Sequence, residues 1–259
     1  MTKHNLTIYH TNDLHNRQHI FPFLSGVKNN GDVLILDAGD AIGGSSTLFK
    51  FSEPTLDKMN QVGYDAITMG NRELNYIRWV LKIRAEQANF PILSANLEDL
   101  TGRSADCYIS HIIKEINGIK VGIFGLTPVQ YQENSRWLNL LRFRFHDPLK
   151  TSGKMVEKLR SKVDLLILLS HLGIEDDKKI AQEVSGIDLI IGGHSHTVLK
   201  KPVHIKNTYI FQAGCYGKLY GKINIQVDPD KSLRISNLEY NLIEVNNNLN
   251  INKEIDNEK

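Results

Sequence analysis

The fold class is decided by a run of five leucine and isoleucine residues that ends in a serine and a histidine: Leu165-Leu166-Ile167-Leu168-Leu169-Ser170-His171. An uninterrupted apolar run of this length is typical of a strand that is covered on both faces, as in parallel sheets. Further short apolar runs are bounded by glycine, aspartate or asparagine: residues 6–10, 33–37, 66–69, 92–95, 121–126, 189–191 and 209–212. Segments with helical spacing lie between them, so the sequence predicts an α/β layered fold.

Two hairpins interrupt the alternation of strands and helices. Residues 108–116 and 119–124 flank Asn117-Gly118, a dipeptide that suits the positive φ angles of a tight hairpin turn. A second hairpin is predicted from residues 222–227 to residues 233–245. We therefore expect two packed sheets flanked by helices in one domain, residues 1–245. Residues 246–259 carry too little apolar surface to offset the entropy of ordering, so a disordered polar tail is expected there.

Composition limits the partners of the chain. Its 259 residues include 31 Lys plus Arg and 29 Asp plus Glu, which gives a net charge of +2. Because this balance provides no basic face, neither a nucleic acid polymer nor an anionic membrane is an expected partner. No apolar stretch long enough for a signal peptide or a membrane span precedes the first predicted strand, and the expected location is cytoplasmic. Cys107 and Cys215 form no CxxC pair and are expected to be free thiols.

Side chains that can bind metal follow the C-terminal ends of five predicted strands. They are Asp13, His15, Asp40, Asn71, His171, His194 and His196. In layered α/β proteins these strand ends gather at one edge, so residues remote in sequence can meet there. Buried aspartate and histidine are costly unless they are paired or coordinated, which makes packing alone a poor explanation of the whole set.

The ligand types favour a mixed divalent metal centre. Imidazole suits Zn, Mn, Fe or Ni, whereas carboxylate and amide oxygens suit harder ions such as Mn. A set without thiolates argues against a purely structural zinc. In Asp13-Leu14-His15 and in His194-Ser195-His196, an extended or loop conformation places the two outer side chains on the same side of the chain, so both can reach one ion. The sequence leaves the metal open between Mn, Zn, Fe and similar ions.

Five sequence blocks resemble, in order and spacing, those of the calcineurin-like metallophosphoesterases, and most closely the 5′-nucleotidase branch. The blocks are Thr11-Asn12-Asp13-Leu14-His15, Asp37-Ala38-Gly39-Asp40, Met69-Gly70-Asn71-Arg72-Glu73, Ser170-His171 and Gly192-Gly193-His194-Ser195-His196. The resemblance covers roughly residues 5–225. It implies a two-sheet αββα metallophosphoesterase sandwich. It also implies two ions bridged by Asp40, one held by Asp13, His15 and His196 and the other by Asn71, His171 and His194.

The reaction implied by this resemblance is hydrolysis of a phosphate ester. Two ions about 3.5 to 4 Å apart would polarise the phosphoryl oxygens and lower the pKa of a bridging water, so that a hydroxide attacks phosphorus directly and in line. The sequence contains no Gly-x-Ser-x-Gly elbow that would supply a serine nucleophile. The expected substrates are small phosphorylated metabolites, with nucleotides first. The individual substrate and the oligomeric state stay open.

One pair of positions departs from the family pattern. The metal-binding asparagine is normally followed by a histidine, which an aspartate three residues further on orients; here these positions hold Arg72 and Asn75. Arginine cannot act as a general acid, but its planar guanidinium can donate hydrogen bonds to a phosphoryl oxygen. Asn71 and Arg72 are therefore candidate phosphate contacts, and Arg72 and Asp40 are candidate catalytic residues. The alternative is a phosphate- or nucleotide-binding metalloprotein with little turnover, since losing acid catalysis lowers a rate about a hundredfold to ten-thousandfold.

Several neighbours of these residues have two interpretations. Glu73 is a candidate partner of Arg72 or of a histidine, and Asp37 is either a turn residue or an acceptor for a ligating imidazole. The acidic run Glu175-Asp176-Asp177 is expected to be the solvated first turn of a helix. Five aromatic side chains could stack on a nucleobase, although core packing is their commoner role: Tyr108, Tyr131, Trp137, Tyr216 and Tyr220.

Overall fold

The computed structural model of the chain describes residues 4–44, 52–102, 106–132, 135–228 and 235–245. Within these ranges the strands are β1 (His4–Thr11), β2 (Val33–Asp37), β3 (Ala66–Thr68), β4 (Ile92–Leu93), β5 (Leu97–Asp99), β6 (His111–Ile116), β7 (Ile119–Leu126), β8 (Phe143–Phe145), β9 (Leu165–Ser170), β10 (Leu189–Gly192), β11 (Val203–Ile205), β12 (Thr208–Phe211), β13 (Leu219–Val227) and β14 (Ile235–Glu244). The α-helices are α1 (Phe21–Leu24), α2 (Pro54–Val62), α3 (Arg78–Gln87), α4 (Arg136–Leu141), α5 (Pro148–Leu159) and α6 (Ile174–Glu183). Short 3₁₀ helices span Val27–Asn30 and Arg160–Lys162.

Two six-stranded sheets form the centre of the fold. The first has the order β14-β13-β1-β2-β3-β4, in which β1 to β4 run parallel and β13 and β14 add an antiparallel hairpin. The second has the order β11-β12-β10-β9-β7-β6, with four parallel inner strands and antiparallel edge strands β6 and β11. The predicted α/β class with two mixed sheets is confirmed.

The apolar side chains of one strand divide between two layers of the core. In β9, Leu165, Ile167 and Leu169 pack between the two sheets, whereas Leu166 and Leu168 face the helices. Because successive side chains of a strand point to opposite faces, a strand covered on both sides needs apolar residues at every position. This is why the run that decides the fold class is uninterrupted.

Helices cover the outer face of each sheet. Met59 of α2 and Leu81 of α3 belong to the core on the first sheet, and Met155 of α5 and Ile180 of α6 to the core on the second. The order of layers is therefore helix, sheet, sheet, helix, as the resemblance implied.

No helix within the described ranges is long and apolar enough to cross a membrane. Cys107 and Cys215 are free thiols.

Several element ends differ from the prediction by a few residues. Strand β4 ends at Leu93 rather than residue 95, because the N–H groups of Ser94 and Ala95 donate to the carbonyls of Ile109 and Gly125 instead of continuing the sheet. Strand β6 begins at His111 rather than residue 108. The Asn117-Gly118 turn is as predicted, with φ angles of 51° and 74°. The tail 246–259 lies outside the described residues.

Candidate metal centre

The loops that follow β1, β2, β3, β9 and β10 meet at one end of the two sheets. In two groups, ligand atoms lie within 4.8 Å of one another: Asp13 with His15 and His196, and Asp13 with Asp40 and His171. A cavity of about 290 Å³ beside them is lined by His15, Asp40, Asn71, Arg72, His194, His196 and Tyr216. The structure thus brings all seven predicted ligands, together with Arg72, to a single site.

Backbone hydrogen bonds join the loop after β1 to the loop after β2. The N–H groups of Asp13 and His15 donate to the carbonyls of Gly39 and Asp40, each at 2.9 Å. These bonds continue the parallel pairing of β1 with β2 beyond the ends of the strands. The relative position of Asp13, His15 and Asp40 is therefore set by the backbone.

Left-handed backbone conformations are concentrated at this site. Among the described residues, ten that are not glycine have a positive φ, and six of these belong to the site: Asp13, His15, Asp40, His194, His196 and Tyr216. Each such conformation costs about 1–3 kcal/mol and persists only where the surrounding structure enforces it, most often at functional sites. The loops are thus held in a strained form that brings their side chains together at the site.

The carboxylate of Asp13 is oriented by bonds to one of its two oxygens. Oδ2 accepts hydrogen bonds from Nδ2 of Asn12 at 2.8 Å and from the N–H of His194 at 2.9 Å. Oδ1 lies 3.3 Å from Nε2 of His196 and 3.9 Å from Nε2 of His171. One oxygen therefore anchors the loop, and the other faces the imidazoles of the site.

The imidazole of His171 is fully buried, and its Nδ1 is hydrogen-bonded to the backbone. Its Nδ1 lies 2.6 Å from the carbonyl oxygen of Ala38, and because a carbonyl can only accept, Nδ1 carries a proton. Nε2 consequently points into the site, 3.4 Å from Oδ1 of Asp40. Although burial opposes the charged form, the carboxylates of Asp40 and Asp13 raise the pKa of His171 to about 9.

The side chain of Glu73 joins the loop of Asp40 to the loop of Asn71. Its Oε2 accepts the N–H groups of Asp40 at 2.8 Å and Gly70 at 2.9 Å, and its Oε1 accepts the N–H of Ile42 at 3.2 Å. Among the described residues, the hydrogen-bond partners of the Glu73 side chain are thus backbone groups, rather than Arg72 or a histidine. Burial and the nearby charge of Asp40 raise the pKa of Glu73 to about 7.

The approach of these two loops requires glycine at position 70. A Cβ on Gly70 would lie 2.3 Å from Oδ1 of Asp40 and 2.8 Å from Oε2 of Glu73, far inside van der Waals contact. The Gly70-Asn71 turn can therefore pass directly over the Asp40 carboxylate. Asn71 follows at the edge of the cavity, with its Oδ1 buried.

Arg72 and Asn75, which occupy the positions of the family's histidine–aspartate dyad, make separate hydrogen bonds among the described residues. The guanidinium of Arg72 is exposed at the cavity, where Nη1 donates to the carbonyl of Gly43 at 3.2 Å. Asn75 is buried, and its Oδ1 accepts the N–H of Ile77 at 2.8 Å just before α3. The two side chains thus hydrogen-bond to different segments, Arg72 to the loop after β2 and Asn75 to the residue before α3.

For two further residues, Asp37 and Tyr216, the structure decides between the interpretations that the sequence left open. Asp37 accepts hydrogen bonds from the hydroxyl of Thr11 at 2.5 Å and from the N–H of Gly39 at 2.8 Å. Of its two interpretations, Asp37 therefore fits the residue that stabilises the turn, and not the acceptor for an imidazole. Tyr216 is 40% exposed and lines the cavity, with its ring centroid 5.3 Å from that of His15. The sequence alone did not distinguish Tyr216 from the other four aromatic candidates for base stacking.

The donor set fits a divalent metal site. Four buried polar atoms here have no hydrogen-bond partner among the described residues: Asp13 Oδ1, His15 Nδ1, Asn71 Oδ1 and His171 Nε2. Such atoms are rare in proteins, and these four are carboxylate, amide and imidazole atoms of the kinds that coordinate divalent ions. Burial lowers the pKa of His15 and His194, which favours the neutral imidazole that a metal requires.

A two-sheet αββα sandwich with this set of residues at its strand ends defines a metallophosphoesterase domain. The family model of the calcineurin-like phosphoesterases matches residues 6–198, which is most of the chain. The chain belongs to the calcineurin-like phosphoesterase family.

The proteins that this chain resembles include nucleotidases and nucleotide phosphoesterases. The chain is 29% identical to the trifunctional nucleotide phosphoesterase protein YfkN of Bacillus subtilis, over 86% of its own length and 18% of that protein. It is 30% identical to human 5′-nucleotidase, over 86% of its own length and 46% of that protein. The chain thus spans about half or less of the length of these relatives.

Solved structures show the same fold. A 5′-nucleotidase precursor from Thermus thermophilus superposes with a TM-score of 0.77 at 24% identity, covering 93% of this chain and 54% of that one. The calcineurin-like phosphoesterase YfkN from Bacillus subtilis superposes with a TM-score of 0.78 at 22% identity, covering 95% of this chain and 92% of that one.

Proposed function

We propose that the chain is a metal-dependent hydrolase of phosphate esters that acts on small phosphorylated metabolites, with nucleotides as the first substrate class. The observation that carries this proposal is the convergence of the seven metal-competent side chains beside a cavity that Asn71 and Arg72 line. The 5′-nucleotidase and nucleotide phosphoesterase relatives support the choice of substrate class.

Two divalent ions, such as Mn, Zn or Fe, are the proposed cofactors. Asp40 would bridge them, with one ion held by Asp13, His15 and His196 and the other by Asn71, His171 and His194. The bridging role is supported by the two oxygens of Asp40, which face different imidazoles: Oδ1 lies 3.4 Å from Nε2 of His171 and Oδ2 lies 4.0 Å from Nδ1 of His15. The chemistry supplied by such a pair is polarisation of phosphoryl oxygens and a lower pKa for the attacking water.

Arg72 is the proposed phosphate contact of the protein itself. Its guanidinium lines the cavity and is cationic at every working pH, so it stabilises negative charge on the phosphoryl oxygens in both the ground state and the transition state. It cannot donate a proton to the departing oxygen. Direct in-line hydrolysis at this site is therefore proposed to favour esters whose leaving group departs as a stable anion.

A second candidate function is binding of a phosphate ligand with little turnover. The observation that favours it is that Arg72, which cannot donate a proton, stands where the family has a histidine, while its guanidinium hydrogen-bonds to the carbonyl of Gly43. In this version Arg72 and the metal site hold the ligand, and hydrolysis is slow.

The two candidates are separated by one screen. Protein loaded with Mn or Zn is assayed for phosphate release from mononucleotides, dinucleotides, cyclic nucleotides, sugar phosphates and aryl phosphates, and Asp40→Ala serves as the control that loses the metal site. Metal-dependent release that Asp40→Ala abolishes supports the hydrolase. Tight binding of inorganic phosphate without release from any ester supports the binding protein and contradicts the hydrolase.

A further inference from the structure

We propose that a buried ion pair, Arg84 with Glu53, is a positioning pair that fixes Arg72 at the metal centre. The inference rests on the proposed function, in which Arg72 contacts the phosphoryl group. Arg84 lies on α3, and Glu53 is the N-terminal flanking residue of α2. Neither residue lines the cavity, so both act through Arg72.

Arg84 binds the backbone carbonyl groups of two successive residues, Arg72 and Glu73. Its Nη1 donates to the carbonyl oxygen of Arg72 and to that of Glu73, each at 3.2 Å. The N–H of Arg72 meanwhile donates to Oδ1 of Asp40 at 2.8 Å. The backbone of Arg72 is thus held from both directions, by the metal-site carboxylate at its N–H and by Arg84 at its carbonyl.

Glu53 links Arg84 to the loop that receives the Arg72 side chain. Nη2 of Arg84 lies 3.5 Å from Oε1 of Glu53, and the same Oε1 accepts the N–H of Gly44 at 3.1 Å. The preceding carbonyl, that of Gly43, accepts Nη1 of Arg72 at 3.2 Å. One ion pair therefore supports both ends of Arg72, its backbone and its guanidinium.

The Gly43-Gly44 loop and the Arg72 backbone are in direct contact. A Cβ on Gly44, which has a φ of +41°, would lie 2.2 Å from the carbonyl oxygen of Arg72. A displacement of either segment is consequently transmitted to the other. The pair at Glu53 and Arg84 decides where both segments lie.

Stability alone is a poor reason for this ion pair. The side chains of Arg84 and Glu53 are 1% and 0% exposed, and a buried pair of this kind is often no more stabilising than apolar residues of the same volume. Its bonds are instead directed at the carbonyls of Arg72 and Glu73 and at the loop of Gly44. Positioning of a reactive group to within a fraction of an ångström is what such contacts provide.

Two changes at the pair are tested: Arg84→Lys, and Arg84→Met combined with Glu53→Gln. Each is made in the starting protein and in the Arg72→Ala variant, and each is compared with its own background. Arg84→Lys keeps a cation but cannot reach two carbonyls and Glu53 at once, and the double variant removes both charges together. Asp65→Asn is the control, because Asp65 is a buried carboxylate paired with Lys28 and Lys114 at the opposite end of β3. Metal content and circular dichroism are measured for every variant.

We expect both variants at the pair to lower kcat/KM for an aryl phosphate by about tenfold, and to weaken binding of inorganic phosphate by a similar factor, with metal content unchanged. In the Arg72→Ala background the same changes should alter neither quantity by more than about twofold, because the group they position is gone. Asp65→Asn should leave both quantities unchanged in either background.

Three results would overturn the positioning role: equal losses with and without Arg72, unchanged phosphate affinity in folded variants, or failure of both variants to fold. If Arg72→Ala lowers activity and the variants at Arg84 do not, only this inference fails. If no ester is hydrolysed by the starting protein, the proposed function fails, and the phosphate-binding measurement still decides whether Arg84 positions Arg72.

Discussion

The peptide N–H of Arg72 donates a hydrogen bond of 2.8 Å to Oδ1 of Asp40, the candidate bridging carboxylate. The residue that departs from the family pattern is thus connected to the metal site through its backbone, whereas its side chain faces the cavity. Substitution of the Arg72 side chain leaves this bond in place. Changes at position 72 therefore report on the guanidinium rather than on the orientation of Asp40.

The first prediction concerns the leaving group. Without a proton donor the departing oxygen leaves as an anion, so the rate should fall steeply as the pKa of the leaving group rises, and aryl phosphates should be cleaved better than ribose 5′-phosphates. Arg72→Ala should lower kcat/KM by about tenfold or more and also weaken binding of inorganic phosphate, since a fixed cation acts in the ground state too.

This prediction is measured with a series of aryl and alkyl phosphates under conditions where the chemical step limits the rate. Arg144→Ala is a matched control, because Arg144 is an exposed arginine that pairs with Glu98 and does not line the cavity. A rate that is insensitive to the leaving group in the starting protein would mean that another residue donates the proton.

The second prediction is that restoring the family dyad changes substrate preference. In Arg72→His with Asn75→Asp, the aspartate can keep the bond to the N–H of Ile77 that Asn75 makes, and it restores the carboxylate that orients the histidine in the family pattern. Because imidazolium can protonate the departing oxygen, alkyl phosphates should gain about tenfold or more relative to aryl phosphates. Equal gains for both substrate classes, or a gain from Asn75→Asp alone, would contradict this explanation.

Much of the fold and the location of the site could be predicted because both follow from local pattern. The uninterrupted apolar run of β9 requires two covered faces, and His171 at its end must then lie at the edge where parallel strands finish. The residues that hold the site in shape could not be predicted in this way. Glu73 binds the N–H of Asp40, 33 residues away, and no periodicity encodes a contact between two loops.

At Asp177 the helix was predicted correctly, but the exposure of the side chain was not. The first turn of α6 is helical as expected, but Asp177 is fully buried rather than solvated. The space for it is provided by β10, since a Cβ on Gly192 would lie 2.3 Å from Oδ2 of Asp177. The sequence of the helix alone contains no sign of a glycine in a neighbouring strand.

The third prediction tests the proposed bridging role of Asp40. If its carboxylate contributes to both ions, Asp40→Ala should lower the affinity for both, whereas His196→Ala should mainly weaken one. Metal content is measured by elemental analysis after saturation with Mn or Zn and dialysis, with Asp99→Asn as a control carboxylate that is bound to Arg78. At most one tightly bound ion in the starting protein, or unchanged content in Asp40→Ala, would count against a dinuclear centre.

The fourth prediction concerns Tyr216, whose exposed ring lines the cavity beside His15 and His196. Stacking of a base on an aromatic ring contributes about 1–3 kcal/mol, so Tyr216→Ala should raise KM for nucleotides by about tenfold and KM for sugar phosphates far less. Tyr216→Phe keeps the ring and should preserve both. An equal rise for nucleotides and sugar phosphates, with metal content intact, would show that Tyr216 does not contact the base.

The fifth prediction is a pH dependence of stability that originates at Asp177. Burial raises the pKa of this carboxyl to about 8 in the folded protein, whereas in the unfolded chain it ionises near 3.8. Between these values the folded state keeps a proton that the unfolded state has lost, so this group makes the free energy of unfolding decrease as the pH rises from about 4 to about 8. Asp177→Asn cannot ionise and should remove this slope, so that the variant gains about 1.4 kcal/mol relative to the starting protein for each pH unit between about 4 and about 8. The measurement is urea unfolding of metal-free protein at several pH values, with Glu183→Gln, at an exposed position of the same helix, as the control. Parallel pH profiles for Asp177→Asn and the starting protein would assign the dependence to other buried carboxyls.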